Sequence, residues 1–196
     1  MSNREIKIIE CPVMQCRVGR ILFRLSKKIE YINSLLEIGF DTIDFGSFVS
    51  PKAIPQMADT KEVLKGLKFS KTRSKLLAIV ANVRGAEEAS AYNEITYLGF
   101  PFSVSETFQQ RNTNSSIEES LKRVEEIQNI CTKNNKRLVI YISMGFGNPY
   151  GDMYSEEIVF SWVNKIVEMG IKTISLADTV GLAKTGTSLF NDQISY

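Results

Sequence analysis

Two aspartates at the ends of apolar, strand-like runs are the residues best placed to do chemistry. Asp44 lies within the run 42–48 (TIDFGSF), and Asp178 follows the run 174–177 (ISLA). A carboxylate in such surroundings must be paired, hydrogen-bonded or bound to a metal, because burying it alone is costly. The two residues therefore suggest a polar site at strand ends. The alternative is that each aspartate caps a helix or forms a salt bridge with a neighbouring strand.

The composition excludes several kinds of site. The 196 residues include no histidine, so the commonest general base and the commonest transition-metal ligand are both absent. Any metal site would need carboxylate, carbonyl or water oxygens. The 24 Lys and Arg and the 22 Asp and Glu give a net charge of +2 and are dispersed along the chain. Nucleic acid is therefore not an implied partner.

The chain has three cysteines, Cys11, Cys16 and Cys131, an odd number without paired metal-type spacing. This pattern is typical of free thiols in a reducing compartment, and Cys131 is expected to pack in the core on the apolar side of its helix. The first residues show no export-signal pattern, and no apolar run is long enough to span a bilayer. We therefore expect a cytoplasmic protein without a membrane partner.

Two polar segments near strand ends are further candidates for contact with a ligand. Residues 143–151 (SMGFGNPYG) contain glycines that permit close approach to the backbone, although an ordinary turn has the same composition. Residues 103–106 and 109–112 offer hydroxyl, carboxylate and guanidinium groups that could position a polar substrate. We expect the second segment to form a solvated loop.

The elements that must position these residues alternate between short β-branched runs and longer amphipathic stretches. This alternation is typical of βα units around a parallel sheet. The predicted strands are 6–10, 42–45, 75–81, 94–98, 137–142 and 172–176. The predicted helices are 27–38, 60–67, 86–92 and 155–169, and a further helix begins at Ser115 and Ser116 and ends at Asn134.

Six βα repeats fit two α/β architectures. One is an incomplete TIM (β/α)8 barrel, since a complete barrel usually needs about 250 residues and eight units. The other is a complete doubly wound sheet with helices on both faces. No glycine-rich phosphate fingerprint follows the first predicted strand, which disfavours the nucleotide-binding form of the second architecture.

Four segments, in order along the chain, resemble the hydroxymethylglutaryl-CoA lyase family. They are residues 44–59 (DFGSFVSPKAIPQMAD), 112–119 (NTNSSIEE), 147–151 (GNPYG) and 175–181 (SLADTVG). The resemblance therefore covers nearly the whole chain. It implies a TIM barrel of about six βα units, and it predicts a single truncated catalytic domain over residues 1–196 without the C-terminal units.

The resemblance also implies a reaction and a set of site residues. The family cleaves hydroxymethylglutaryl-CoA to acetyl-CoA and acetoacetate with a divalent cation, Mg²⁺ or Mn²⁺, which stabilises the developing enolate. By resemblance, Asp44 and Asp178 take the places of acidic catalytic residues. Ser47, Tyr141 and Ser175 lie where family members line the acyl-CoA pocket.

One departure from the family removes its arginine and its metal-binding aspartate. After the first strand the family has Pro-Arg-Asp, whereas this chain has Pro12, Val13 and Met14. The codons of residues 13–18 can read as Arg-Asp-Ala-Met-Gln-Gly once a single C is restored in front of them. We therefore hypothesise that residues 13–26 are a frame-shifted stretch, and codons incompatible with the family motif in the other frame would disprove it.

The family's His-x-His metal pair, asparagine ligand and catalytic cysteine lie beyond the sixth strand and have no counterpart in the sequence. The chain as written is thus expected to bind the cation poorly and to be inactive as a lyase. The alternatives are a related condensing enzyme of the isopropylmalate or homocitrate synthase type, and a non-catalytic remnant. Unpaired strand edges further predict self-association as a homo-oligomer.

Overall fold

The computed structural model describes residues 6–12 and 23–184 of the chain. The strands of these ranges are β1 (Ile9–Glu10), β2 (Thr42–Ser47), β3 (Lys75–Ile79), β4 (Ile95–Ser103), β5 (Arg137–Ser143) and β6 (Thr173–Leu176). The helices are α1 (Leu25–Ile38), α2 (Thr60–Lys65), α3 (Val83–Ser90), α4 (Glu106–Thr113), α5 (Ile117–Lys133) and α6 (Glu156–Glu168), with a 3₁₀ turn at Pro55–Met57. Val13 and Met14 lie outside the described residues, as does most of the stretch 13–26.

The order of the strands decides between the two predicted architectures. Each strand pairs in parallel with the next one along the chain, so that the sheet runs β1-β2-β3-β4-β5-β6. In a doubly wound sheet the spatial order of the strands instead reverses at a switch point, and helices lie on both faces. The sequential order is that of a barrel, and the six strands form a curled half-barrel.

The two faces of the sheet pack against different partners. Outward side chains such as Ile43, Leu98 and Ile140 belong to a large apolar core shared with the helices. Inward side chains form a second, smaller cluster of strand residues, namely Leu77, Ile79, Tyr97 and Val139. Because the helices cover only the outer face, the inner face is the interior of the barrel.

The helix boundaries follow the capping signals of the sequence. Helix α1 ends at Gly39, which adopts a left-handed conformation with φ of 85°. Helix α5 begins with a capping box, in which Ser116 accepts from the backbone N–H of Glu119 and the Glu119 carboxylate accepts from that of Ser116. The thiol of Cys131 is buried in the core, as predicted, and burial raises its pKa to about 12.

The prediction of a solvated loop over residues 103–112 was wrong. Strand β4 extends to Ser103, and helix α4 follows it at once with Ser105 as its N-cap. The side chain of Gln109 is buried, accepting from the backbone N–H of Ser103 at 2.8 Å and donating to Ser120 Oγ at 2.7 Å. The helix was missed because it lacks an apolar stripe and packs through this polar side chain.

Helices of the described residues are all too short or too polar to cross a bilayer.

Candidate active site

A bulge in β2 places two predicted site residues on the inner face. Asp44 pairs with Leu77 and Ser47 with Ile79, both of which face inward, and the register shifts between Asp44 and Gly46. Residues three apart in a regular strand face opposite sides, so the extra residue of the bulge is what brings both side chains inward. Asp44 and Ser47 are each 2 % exposed.

The hydroxyl of Ser47 holds the start of the loop after β2. It donates to the carbonyl oxygen of Ile79 at 3.4 Å and accepts from the backbone N–H of Val49 at 3.2 Å. The backbone N–H of Ser47 donates to Thr60 Oγ1 at 3.1 Å. These bonds fix the carboxyl end of β2 against both β3 and α2.

The charge of Asp44 acts on two other titratable side chains, Tyr141 and Cys11. The pKa of the Tyr141 phenol is raised above its usual range, first by burial and then by the negative charge of Asp44 and by Cys11. Burial followed by the charges of Asp44 and Glu10 raises the pKa of the Cys11 thiol to about 11. Both groups stay protonated at neutral pH, so the site offers two neutral hydrogen-bond donors.

Tyr141 occupies space that a glycine leaves open. A Cβ at Gly99, on the neighbouring strand, would lie 2.8 Å from Cε2 of Tyr141 and 2.8 Å from Cδ1 of Ile79. Ser175 is the β6 partner of Tyr141 in the sheet register and is half-buried. The Tyr141 ring therefore lies next to Gly99 and Ser175, and it packs against the apolar inner cluster of β3, β4 and β5.

Asp178 differs from Asp44 in its surroundings. Its side chain is exposed, and its two oxygens accept from the backbone N–H groups of Leu182 at 2.8 Å and Ala183 at 3.1 Å. In this arrangement Asp178 caps the turn that follows β6. Of the predicted residues, Asp44, Ser47, Tyr141 and Ser175 share the inner face, and Asp178 lies at the rim.

The loop after β5 is connected to the loop after β6. Met144 has a positive φ of 59° and is 1 % exposed. Its backbone N–H donates to Thr179 Oγ1 at 2.9 Å, and the N–H of Gly145 donates to the carbonyl oxygen of Ala177 at 3.3 Å. A left-handed conformation is unusual for a buried methionine, and such backbone conformations concentrate at functional sites.

The residues around Asp44 fit a divalent cation poorly. Within residues 6–12 and 23–184, no three His, Cys, Asp or Glu side chains converge so that they could hold a metal ion. Residues 13–22 contain no histidine, aspartate or glutamate. The two groups whose pKa the charge of Asp44 raises are a protonated thiol and a protonated phenol, whereas Mg²⁺ and Mn²⁺ prefer several oxygen ligands, including carboxylates.

Sequence reasoning missed two residues of the site. Cys11 was interpreted only as a free thiol, although its place directly after β1 is itself a signal for the carboxyl end of a barrel strand. Gly99 lies in the middle of β4, and a glycine inside a strand often marks close approach of another group. Neither signal shows which side chain comes near, because that depends on the neighbouring strands.

The sequence matches known proteins along most of its length. The profile of the HMGL-like family matches residues 18–195. The mitochondrial hydroxymethylglutaryl-CoA lyase of Macaca fascicularis is 38 % identical over 196 residues, which cover 98 % of this chain and 58 % of that protein. Other relatives carry names that place them in the mitochondrion or the cytoplasm. The chain thus spans little more than half the length of these relatives.

Solved structures agree with this assignment and explain the half-barrel. The hydroxymethylglutaryl-CoA lyase of Pseudomonas aeruginosa superposes with a TM-score of 0.89 at 29 % identity, over 97 % of this chain and 63 % of that one. An HMG-CoA lyase of Acinetobacter baumannii, in complex with coenzyme A and 3-methylmalate, superposes with a TM-score of 0.84 at 31 % identity, over 91 % and 58 % of the respective chains. The chain belongs to the HMGL-like family.

Proposed function

We propose that the chain is a hydroxymethylglutaryl-CoA lyase-type barrel that binds an acyl-CoA thioester at the carboxyl ends of its strands and does not cleave it as written. The observation that carries this proposal is that Asp44, Ser47, Tyr141 and Ser175 share the inner face of the sheet in a chain of the HMGL-like family. A similar protein has been crystallised with coenzyme A, which supports a thioester as the ligand.

Tyr141, Asp44 and the apolar inner cluster have separate roles in this proposal. The protonated Tyr141 phenol donates a hydrogen bond to an oxygen of the acyl group. The Asp44 carboxylate accepts from the substrate hydroxyl, whose proton must leave when the carbon-carbon bond is cleaved. The apolar inner cluster, which includes Leu77 and Ile79, excludes water from the acyl chain on the other side.

Inactivity as a lyase follows from the metal chemistry of the family. The HMGL-like family is metal-dependent, and the cation stabilises the enolate that forms on cleavage. The family's arginine and metal-binding aspartate correspond to Val13 and Met14, and neither side chain offers an oxygen ligand. The chain can therefore bind and orient a thioester without holding the cation. Such a chain is the non-catalytic remnant that the sequence also allowed.

The proposal is tested with the purified protein and two measurements. Titration calorimetry with acetyl-CoA should show saturable binding, and incubation with hydroxymethylglutaryl-CoA and Mg²⁺ or Mn²⁺ should release no acetoacetate. Tyr141→Phe should weaken binding about fivefold, the value of one hydrogen bond of about 1 kcal/mol. Tyr31→Phe is the matched control, since Tyr31 is 43 % exposed on α1.

Two outcomes would contradict the proposal. Absence of saturable acetyl-CoA binding would remove the thioester site. Metal-dependent release of acetoacetate would show that the chain is an active lyase despite Val13 and Met14.

Self-association and a cytoplasmic location remain proposals for this chain. Among the described strands, β1 and β6 each pair on one side only, and their free edges offer hydrogen-bond donors and acceptors to another chain. Ile8 and Ile9, beside or within β1, are 62 % and 48 % exposed, which adds apolar surface near one of these edges.

A further inference from the structure

The loop after β5 is fastened to helix α4 by one carboxylate. Asp152 Oδ2 accepts from Ser105 Oγ and from the backbone N–H of Thr107 at 2.9 Å. Asp152 Oδ1 accepts from Thr107 Oγ1 at 2.8 Å. The hydrogen bonds from Ser105 and Thr107 lower the pKa of Asp152, so the carboxylate is ionised at neutral pH and its hydrogen bonds are charge-assisted.

A second attachment lies two residues earlier in the same loop. The ring of Tyr150 stacks on Phe108 of α4, with centroids 6.4 Å apart and an interplanar angle of 24°. The guanidinium carbon of Arg111 lies 4.8 Å from the centroid of the same ring. Tyr150 therefore contacts two side chains of α4, the helix whose start Asp152 binds.

The loop is also braced internally, so that attachment at one end constrains the other. Asn148 Oδ1 accepts from the backbone N–H groups of Tyr150 at 3.0 Å and Asp152 at 3.2 Å, and Asn148 Nδ2 donates to the carbonyl oxygen of Asp152 at 3.0 Å. The hydroxyl of Tyr154 donates to the carbonyl oxygen of Gly145 at 2.9 Å. Residues 145–154 thus form a connected unit that begins four residues after Tyr141.

We propose that Asp152 is a positioning residue that joins the start of α4 to the loop after β5, forming one rim, and holds residues 144–148 over the site of Tyr141. The geometry supplies the reason: α4 begins three residues after Ser103, the residue that pairs with Ser143 at the ends of the two strands. The Asp152 carboxylate thereby fixes the distance between the start of α4 and the loop after β5 at the mouth of the barrel. That the rim positions an acyl-CoA thioester rests on the proposed function.

The test compares variants that break the attachment to different degrees. Asp152→Asn keeps the shape of the side chain but replaces one accepting oxygen with a donor. Thr107→Val removes only the bond to Oδ1, and Thr107→Ser restores a hydroxyl there. Glu87→Gln is the matched control for loss of a negative charge, because Glu87 is exposed on α3. The two readouts are hydrogen exchange of the amides of 145–152 and the Kd for acetyl-CoA.

We expect faster exchange over 145–152 and about tenfold weaker acetyl-CoA binding in Asp152→Asn, with a smaller change in Thr107→Val. Thr107→Ser should restore both readouts, and Glu87→Gln should change neither. Unchanged loop exchange and Kd in Asp152→Asn would overturn the proposal. If Asp152→Asn does not fold, Thr107→Val and Thr107→Ser provide the test. Equal loop exchange and equal Kd in these two variants would overturn the proposal.

The experiment distinguishes failure of the proposed function from failure of the positioning role proposed for Asp152. If the unaltered protein binds no acetyl-CoA, the thioester site is wrong. The exchange of residues 145–152 in the same variants then decides by itself whether Asp152 positions the rim.

Discussion

The carboxyl ends of β2 and β6 carry an aspartate in similar sequence settings and differ in what surrounds it. Asp44 is 2 % exposed and its charge raises the pKa of two neighbours. Asp178 is exposed and caps a turn through two backbone N–H groups. β2 is flanked by strands on both sides, whereas among the described residues β6 pairs only with β5.

An acidic residue that follows an apolar run is therefore not by itself evidence of a site. The run places the carboxylate at a strand end, and the neighbouring strands decide whether it is enclosed. Asp44 of β2 is buried, and its charge raises the pKa of Cys11, which follows β1, and of Tyr141 on β5. The two aspartates therefore differ: Asp44 is buried in the interior, whereas Asp178 caps a turn.

The largest expected effect tests the packing of the two strands. Ile43→Ala on β2 and Ile174→Ala on β6 remove the same atoms, but Ile43 is fully buried and Ile174 is only partly buried. We expect Ile43→Ala to lower the free energy of unfolding by about 2–5 kcal/mol. Ile174→Ala should cost about half as much, because part of its side chain already contacts water. Urea unfolding measures both, and equal losses would mean that the two ends are equally packed.

A smaller effect tests whether Tyr141 is held from the β4 side. Gly99→Ala would place a methyl group 2.8 Å from both the Tyr141 ring and Cδ1 of Ile79. Such overpacking costs about 1–3 kcal/mol in the free energy of unfolding. The double variant with Ile79→Val removes one of the two clashing atoms, so its loss should be less than the sum of the single losses. Simple additivity would show that the ring and Ile79 are not confined there.

The smallest effect compares the two charges directly. Asp44→Asn should lower the pKa of Cys11 from about 11, since the charge of Asp44 raises it, while burial, the largest cause, still keeps it above its usual value. More of the thiol is then ionised at any pH below that pKa, and alkylation by iodoacetamide at pH 9 should be faster.

Asp178→Asn is the matched control, because Asp178 is not among the groups that shift the pKa of Cys11. Peptide mapping by mass spectrometry separates Cys11 from Cys16 and Cys131. Equal acceleration in both variants would show that Asp44 and Asp178 act on the same interior.

Much of the fold was predictable because it depends on local patterns. The alternation of β-branched and amphipathic runs predicted all the described strands, and the Ser116–Glu119 capping box predicted the start of α5. The two-residue length of β1 and the helix α4 were not predictable in this way. Helix α4 is stabilised by Gln109, whose partners lie on β4 and α5.

The amino-acid sequence was enough to assign the family and the six parallel βα units, because long matched segments and hydrophobic periodicity are properties of the chain. The roles of Asp44, Asp178, Ser47, Tyr141 and Ser175 as site residues stay predictions. Only the tertiary structure decided that the β2 bulge turns Asp44 and Ser47 to the same face. The tertiary structure also brings Cys11 and Tyr141 within the electrostatic influence of Asp44, whose charge raises the pKa of both. It joins the start of α4 to the loop after β5 through Asp152. The physical reason is that burial and electrostatic interaction depend on distances between strands that are far apart in sequence.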